Sequence, residues 1–223
     1  MMHEFFRNHG WLPAKSLGPE DHVFLTGAGS GIGRIMARMF GKMGCHLSLV
    51  DINTQGLEET RQMCMTEGIK GEKIHTTYCD LSSRESIKNA AASATAAFGT
   101  VTVLVNNAGV VSGYSMLELS DQIVDRTFAV NTYAHFYTIK EFLPGMIEKK
   151  RGHIACVSSM AAFLGGPNIS DYTASKAGAF MCDESLRIEL KKSGQWSYIK
   201  TSCICPYIIT TGMFDGMKKV FPL

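Results

Sequence analysis

Tyr172 and Lys176 stand four residues apart. On a helix that spacing puts both side chains on one face, one turn apart. A phenol with an ordinary pKa near 10 is a poor base at neutral pH. An ammonium close by favours the phenolate and lowers that pKa. The pair can then pass a proton to or from an alcohol or carbonyl oxygen. The same spacing also arises by chance on ordinary helices, so other residues must support the reading.

Support comes from residues 22–33. His22-Val23-Phe24-Leu25-Thr26 is a short apolar run that leads into Gly27-Ala28-Gly29-Ser30-Gly31-Ile32-Gly33. An amphipathic run, residues 34–43, follows at once. The first run reads as a buried strand and the last as a helix. Glycine serves a tight strand-to-helix turn because it tolerates positive φ and lets backbone N–H groups approach a ligand. The helix N-terminus behind the turn offers unpaired N–H groups and a positive dipole end, which suits a pyrophosphate. A glycine-rich turn can also be only a turn. The next predicted strand, residues 46–50, runs into Asp51. An acidic side chain at that strand end is what a dinucleotide site uses to hold the adenosine ribose.

The elements that must position these residues alternate along the whole chain. Helix 55–67 precedes strand 73–79, and Ser82-x-x-Glu85 reads as the capping box of a helix ending at residue 98. Strand 101–105 is followed by a long helical stretch, 120–149, expected to break near Pro144-Gly145. Strand 153–157, helix 175–192 and strand 198–205 complete the pattern. Such alternation predicts an α/β fold, a doubly wound parallel sheet with helices on both faces. Ligands in such folds bind outside the C-terminal strand ends.

The spacing Thr26-Gly27-x-x-x-Gly31-x-Gly33 resembles that of the short-chain dehydrogenase/reductase family. So do Asn106-Asn107-Ala108-Gly109, Asn131, Ser158-Ser159 and Tyr172-x-x-x-Lys176, in that order. The resemblance implies a Rossmann fold over residues 22–223, preceded by an N-terminal arm, 1–21. It implies Tyr172 as general acid/base, Ser159 as the donor that orients substrate, Lys176 as phenolate stabiliser and ribose ligand, and Asn131 as anchor of a proton relay. For the cofactor it implies Gly27, Gly29, Ser30, Gly31, Ile32, Gly33 and Asp51 around the glycine turn. Asp80 and Leu81 are implied at the adenine, and Asn107, Ala108 and Gly109 along the cleft. Tyr172 and Lys176 also belong to this cofactor set, with Pro206, Ile209 and Thr211 over the nicotinamide. The family commonly has Pro-Gly where this chain has Pro206-Tyr207, a departure that changes how closely the backbone can approach the ring.

Cofactor choice rests on Asp51, whose charge opposes a 2′-phosphate. NADP-using relatives offset that phosphate with a basic residue in the glycine turn or just after the second strand. Here those places hold Ala28, Ser30 and Ile52, so NAD is expected rather than NADP. Arg34 is nearby and begins the helix behind the turn. The phrasing Asp51-Ile52-Asn53 and Thr210-Thr211-Gly212-Met213-Phe214 is most similar to the epidermal retinol and 17-beta-hydroxysteroid dehydrogenase branch, which implies a small lipophilic alcohol or carbonyl as substrate. The resemblance also implies a homodimer through the helices at 120–149 and 175–192.

Composition sets the outer bounds. At 223 residues with 45% hydrophobic and 19% charged residues, the chain is of ordinary single-domain composition. A net charge of +2, with its Lys and Arg dispersed, gives no reason to expect nucleic acid. Seven cysteines without a Cys-x-x-Cys pair read as reduced thiols in a reducing compartment. No metal is expected, because the seven histidines have no ligand spacing. No apolar run reaches the length of a transmembrane helix. Phe5, Phe6, Trp11 and Leu12 beside Arg7 and Lys15 could form an interfacial foot on a membrane, or an arm that packs locally. The expected location is cytoplasmic, or the cytosolic face of endoplasmic reticulum or lipid droplets. Family members continue past Thr211 with a lid, a helix and a strand, so the chain, ending at Leu223, reads as shortened. A rival reading is therefore a nucleotide- or partner-binding protein that turns nothing over.

Overall fold

The computed structural model describes residues 16–207 and 209. Its six strands are β1 (His22–Thr26), β2 (His46–Asp51), β3 (Ile74–Tyr78), β4 (Val103–Asn106), β5 (Gly152–Val157) and β6 (Ile199–Ile204). All pair in parallel in the order β3-β2-β1-β4-β5-β6. The order reverses between β1 and β4. Chains leaving those two strands turn opposite ways and open a crevice at their C-terminal ends. This is the doubly wound sheet expected from the sequence.

Alternation along the strands separates two cores. Val23, Leu25, Leu47, Leu49, Val103 and Val105 face one side. Phe24, Val50, Leu104 and Ile154 face the other. Both faces are covered, so β1 is buried along its whole length, as a central parallel strand requires. Helices α1 (Gly31–Lys42) and α2 (Thr54–Thr66) cover the first face. Helices α3 (Arg84–Phe98), α5 (Ala134–Glu148) and α6 (Ser170–Lys192) cover the second through Ala90, Phe142, Met146 and Leu190. Helix α4 (Asp121–Phe128) leads into α5. The buried positions of α1 are Gly33, Ala37 and Gly41, a stripe of small residues one turn apart. They let the helix lie close to its neighbours: a Cβ on Gly41 would come within 2.3 Å of Ile69 Cδ1.

Away from the crevice, Asp21 ties the N-terminal ends of the central strands together. Its oxygens accept from Arg151 Nε at 2.9 Å and Nη2 at 2.6 Å, and from Thr102 Oγ1 at 2.9 Å. Burial pushes the Asp21 carboxyl up, but the bonds from Arg151, Thr102 and the Gly18 amide outweigh it and hold it below its ordinary range.

Three local expectations need correction. The long helix does not break at Pro144, which lies inside α5. Continuous α geometry is lost earlier, in a π-helical segment at Ala129–Tyr133. Helix α6 begins at Ser170 rather than 175, so Tyr172 lies in its first turn. The cap of α3 is Ser83, not Ser82: Ser83 Oγ accepts from Ser86 N at 3.2 Å. Ser82 instead bonds Asp80, giving both its N–H and O–H to Oδ1 at 2.9 and 2.7 Å. An Asx turn at Asp80 competes for Ser82 and wins, which moves the cap one residue on.

The relocated cap has a measurable consequence. Ser83→Ala is expected to lower stability by about 1 kcal/mol, the usual value of an N-cap, and Ser82→Ala by less than half of that. Urea unfolding of the two variants checks it; equal losses, or a larger one for Ser82→Ala, would restore the original box.

Candidate active site

The glycine turn sits at the mouth of the crevice. Gly27 has φ +68°, and a Cβ there would lie 2.8 Å from Ala108 Cα. A Cβ on Gly33 would lie 2.0 Å from Gly27 O, so only glycine lets α1 start this close to the turn. Thr26 and Asn107 join the ends of β1 and β4. Thr26 Oγ1 accepts from Asn107 N at 2.9 Å and Ala108 N at 3.1 Å, and Asn107 Nδ2 donates to Thr26 O at 2.9 Å. Helices α2, α3 and α4 are capped by Asn53, Ser83 and Ser120 side chains. Helix α1 differs: Ser30 makes no side-chain cap and no acidic residue lies in the first turn. Its leading N–H groups are left to face the cleft, which Ser30, Gly31 and Ile32 line.

Asp51 closes this end of the site. One carboxylate oxygen accepts from Gly29 N at 2.9 Å and the other from Asn53 N at 2.9 Å. Each oxygen keeps a second lone-pair direction for a ligand. Arg34 turns inward rather than to solvent. Its Nη2 donates to Gly29 O at 2.7 Å and pairs with Glu59 at 2.8 Å, and its Nε donates to Thr60 Oγ1 at 3.0 Å. The guanidinium staples the glycine turn to α2.

The polar cluster lies at the other end of the same cleft, in the first turns of α6 and just past β5. Tyr172 and Lys176 are both buried, 4% and 2% exposed. Lys176 Nζ donates to Val157 O at 2.9 Å and lies 5.9 Å from the centre of the Tyr172 ring. Ser159 caps a short 3-10 turn, Met160–Ala162, by accepting from Ala161 N at 3.1 Å. That leaves its hydroxyl proton free to be donated, and it hydrogen-bonds the Tyr172 side chain.

Charge behaviour departs from the expectation. Burial raises the Tyr172 pKa above its ordinary value, and the Ser159 hydrogen bond pulls it down. Burial lowers Lys176 to about 8, and the nearby thiols Cys156, Cys203 and Cys205 oppose it. His135, behind the cluster, is driven down to about 3 by burial and then by Lys176, so it is a neutral packing residue.

Asn131 lies in the π-helical segment. Its Oδ1 accepts from Val110 N at 2.8 Å and its Nδ2 donates to Val110 O at 2.9 Å. The side chain thus replaces a strand partner for the loop after β4. Nδ2 also reaches Ser175 Oγ at 3.0 Å, and Ser175 Oγ donates to Tyr172 O at 2.8 Å. Widened helical turns of this kind recur at functional sites. Gly109 fits beneath them: a Cβ there would be 3.1 Å from Lys176 Nζ.

One cleft of about 540 Å³ brings these residues together. Its lining includes Gly27, Ser30, Gly31, Ile32, Asp51, Asp80, Leu81, Asn107, Ala108, Gly109, Ser159, Tyr172, Lys176, Pro206 and Ile209. Gly29, Gly33 and Asn131 are not in its wall; they shape it from behind. Thr211 and the apolar residues of the N-terminal arm, Phe5, Phe6, Trp11 and Leu12, lie outside the described residues. Sequence reading gave no role to Asn53, Ser175 or Arg126, and quoted Ser158 only as part of a motif. Ser158 Oγ donates to Lys176 O at 2.9 Å and locks α6 to β5. Only the Ser158-Ser159 doublet carried any sign of this. All seven cysteines are free thiols, four of them buried. Among the described residues no cluster of possible ligands could hold a metal ion, and no helix is long and apolar enough to cross a membrane.

A parallel sheet wound both ways from β1, with a glycine turn and a polar cluster sharing its crevice, defines a Rossmann-type protein. The chain belongs to the short-chain dehydrogenase/reductase family: residues 21–219 match the family described as short chain dehydrogenase. It is 44% identical over 201 residues to short-chain dehydrogenase/reductase family 16C member 6 of Bos taurus, covering 90% of this chain and 63% of that protein. It is 41% identical over 200 residues to epidermal retinol dehydrogenase 2 of Mus musculus, covering 90% and 64%. The branch expected from the sequence is thus borne out. The chain spans less than two thirds of the length of these curated relatives. Among solved structures, a short-chain dehydrogenase/reductase from Burkholderia phymatum in complex with NAD superposes with a TM-score of 0.84 at 28% identity, covering 92% of this chain and 73% of that one. A metagenomic short-chain oxidoreductase in complex with NADP gives 0.79 at 31% identity, covering 87% and 85%.

The buried lysine links this site to stability. With its pKa lowered in the fold, Lys176 binds fewer protons folded than unfolded between about pH 8 and 10.5. Its burial therefore destabilises most below that window, and the penalty fades as pH rises through it. Lys176→Met is expected to be more stable than the parent chain at pH 7, with the gap closing toward pH 10. Urea melts of both chains at pH 7, 8.5 and 10 test this; a gap that is constant with pH, or one that favours the parent, would contradict it.

Proposed function

We propose that the chain is an NAD-dependent oxidoreductase that interconverts a lipophilic alcohol, of the retinoid or steroid kind, and its carbonyl. The observation that carries this reading is the convergence of Ser159, Tyr172 and Lys176 on one cleft with the glycine turn and Asp51. The cleft fits a dinucleotide in its own right. Cβ atoms would fill the cradle at Gly27 and Gly33, and the uncapped N-terminus of α1 faces it. Residues 27–33 would hold the pyrophosphate, Asp51 the adenosine ribose, Asp80 and Leu81 the adenine, and Lys176 the second ribose. The bound nicotinamide would supply or accept the hydride.

The chain's own groups handle the proton. In the oxidation direction Tyr172, as phenolate, takes the hydroxyl proton of the alcohol. In reduction it returns a proton to the carbonyl oxygen. Ser159 already receives the Ala161 amide, so its O–H can point at that same oxygen and steady the charge that develops on it. Burial raises the Tyr172 pKa and the Ser159 hydrogen bond lowers it, so oxidation draws on the phenolate that Ser159 and a ribose-engaged Lys176 favour. Asn131 keeps the Val110 loop and Ser175 in place and anchors a proton path to Lys176.

The lipophilic substrate is supported by relatives named as retinol dehydrogenases and by exposed Tyr207 and Ile209 at the cleft. A homodimer belongs to the same reading: the helical stretch 129–148 and α6 leave Tyr133, Phe136, Met181 and Ile188 exposed. The free thiols agree with a reducing compartment on the cytosolic side.

Removing the transferable proton tests the acid/base role. Tyr172→Phe keeps the packing, and kcat is expected to fall by about 10²–10⁴, with NAD affinity little changed. A variant retaining more than half of the parent kcat with retinoid or steroid alcohols would refute the role of Tyr172.

Asp51 tests the cofactor. Two unit charges about 5 Å apart at an effective dielectric near 20 repel by roughly 3 kcal/mol, an upper figure for a solvent-facing site. Arg34 does not relieve this, since its guanidinium is held by Gly29, Glu59 and Thr60. NAD is therefore expected to be preferred over NADP by at least about tenfold in kcat/KM, and Asp51→Ala to narrow the difference. Equal use of NADP by the unaltered chain would overturn it.

A further inference from the structure

Four charged side chains line the cleft: Asp51, Asp80, Arg126 and Lys176. Three have partners that account for them. Asp51 accepts two backbone amides, Asp80 accepts the Ser82 amide and hydroxyl, and Lys176 donates to Val157 O. Arg126 is the exception. It is exposed on α4, and among the described residues no hydrogen bond, ion pair or ring contact holds its guanidinium. Exposed arginines elsewhere in a protein reach into solvent, but this one forms part of the wall of a cleft built for a ligand.

Its place along the cleft follows from the helix. Val130 lies one turn further on, shares the wall with Arg126 and is buried in the apolar cluster that contains Cys79 and Leu81. Thr127, a quarter turn round α4, donates to Asp171 Oδ2 at 2.9 Å and marks the face toward α6, whereas Arg126 lies on the Val130 side, which shares its apolar cluster with Leu81. At that end the pyrophosphate has the amides of α1 and the ribose has Asp51. The base has only the Leu81 and Val130 side chains and the free lone pairs of Asp80. A guanidinium is flat, weakly hydrated and always charged, and it stacks well on aromatic faces. Such contacts contribute most when the ligand shields them from water.

We infer that Arg126 is a cofactor-binding residue whose guanidinium stacks on the adenine ring of the dinucleotide. The inference rests on the dinucleotide reading given above and assigns Arg126 no part in proton transfer.

Isothermal titration of the full chain with NADH and with ADP-ribose, alongside Arg126→Gln and Arg126→Lys, tests it. Both variants are expected to keep the parent melting temperature, since among the described residues no hydrogen bond or ion pair holds the Arg126 side chain. Both ligands are expected to bind each variant more weakly, by about three- to thirtyfold. The KM for NAD should rise by a similar factor, with kcat at saturating NAD unchanged. An unchanged ADP-ribose affinity in Arg126→Gln would overturn the inference, as would full rescue by Arg126→Lys, which keeps the charge and loses the plane. Asp51→Ala serves as the control on the parent reading. If it weakens ADP-ribose binding and Arg126→Gln does not, Arg126 alone is misassigned. If the unaltered chain binds neither ligand, the dinucleotide reading itself falls.

Discussion

The whole site depends on a distance of closest approach. A Cβ on Gly33 would sit 2.0 Å from the Gly27 carbonyl oxygen. Because none is there, α1 can begin directly behind the turn that leaves β1. That proximity aims the uncapped amides of α1 into the crevice. It also brings Gly29 within reach of Asp51 and lets Arg34 clasp the turn from behind. Moving α1 outward by the width of one methyl group would separate all three. The small-residue stripe Gly33, Ala37 and Gly41 carries the same closeness down the helix, so the geometry at the crevice is continuous with the packing of the core.

The opposite end of the cleft is organised by hydrogen bonds instead. Asn131, Ser175, Ser158 and Val157 hold α6, the π-helical segment and β5 in fixed relation. Their combined effect is to bury an ammonium that burial alone would expel. Lys176 stays in place because Val157 O receives it and three thiols soften its surroundings. A lysine kept at a stability disadvantage beside a buried tyrosine is the kind of arrangement that clusters at functional sites.

The strands and the glycine turn were legible in the sequence because their causes are local. Period-two alternation in Val23-Phe24-Leu25 and the tight spacing of Gly27, Gly31 and Gly33 need no knowledge of the rest of the chain. Gly27 to Gly33, Asp51, Asn107 to Gly109, Ser159, Tyr172 and Lys176 were all found this way or by resemblance, and the structure brings them to one crevice. What sequence could not reveal depends on distant partners. The π-helical segment carries Asn131, whose side chain bonds a loop twenty-one residues away. Ser83 caps α3 because Asp80 has already taken Ser82. Pro144 removes one donor, yet α5 packs Phe142 and Met146 on the sheet on either side of it. That burial offsets the lost bond.

Arg34 and Arg126 make the same point about side chains. Both are arginines on helices that flank the crevice, and nothing in their immediate sequence separates them. Arg34 faces Gly29 O, Gly56 O and Glu59, so its donors are spent on joining the glycine turn to α2. Among the described residues Arg126 meets no such set of acceptors, and it keeps its donors and its flat face. The difference lies in what the fold sets opposite each one. A cation whose partners are supplied by the protein stabilises the protein, whereas a cation left open on a ligand-shaped wall is available to the ligand. By that criterion Arg34 is structural, and Arg126 is a cleft-lining cation that no described protein group holds.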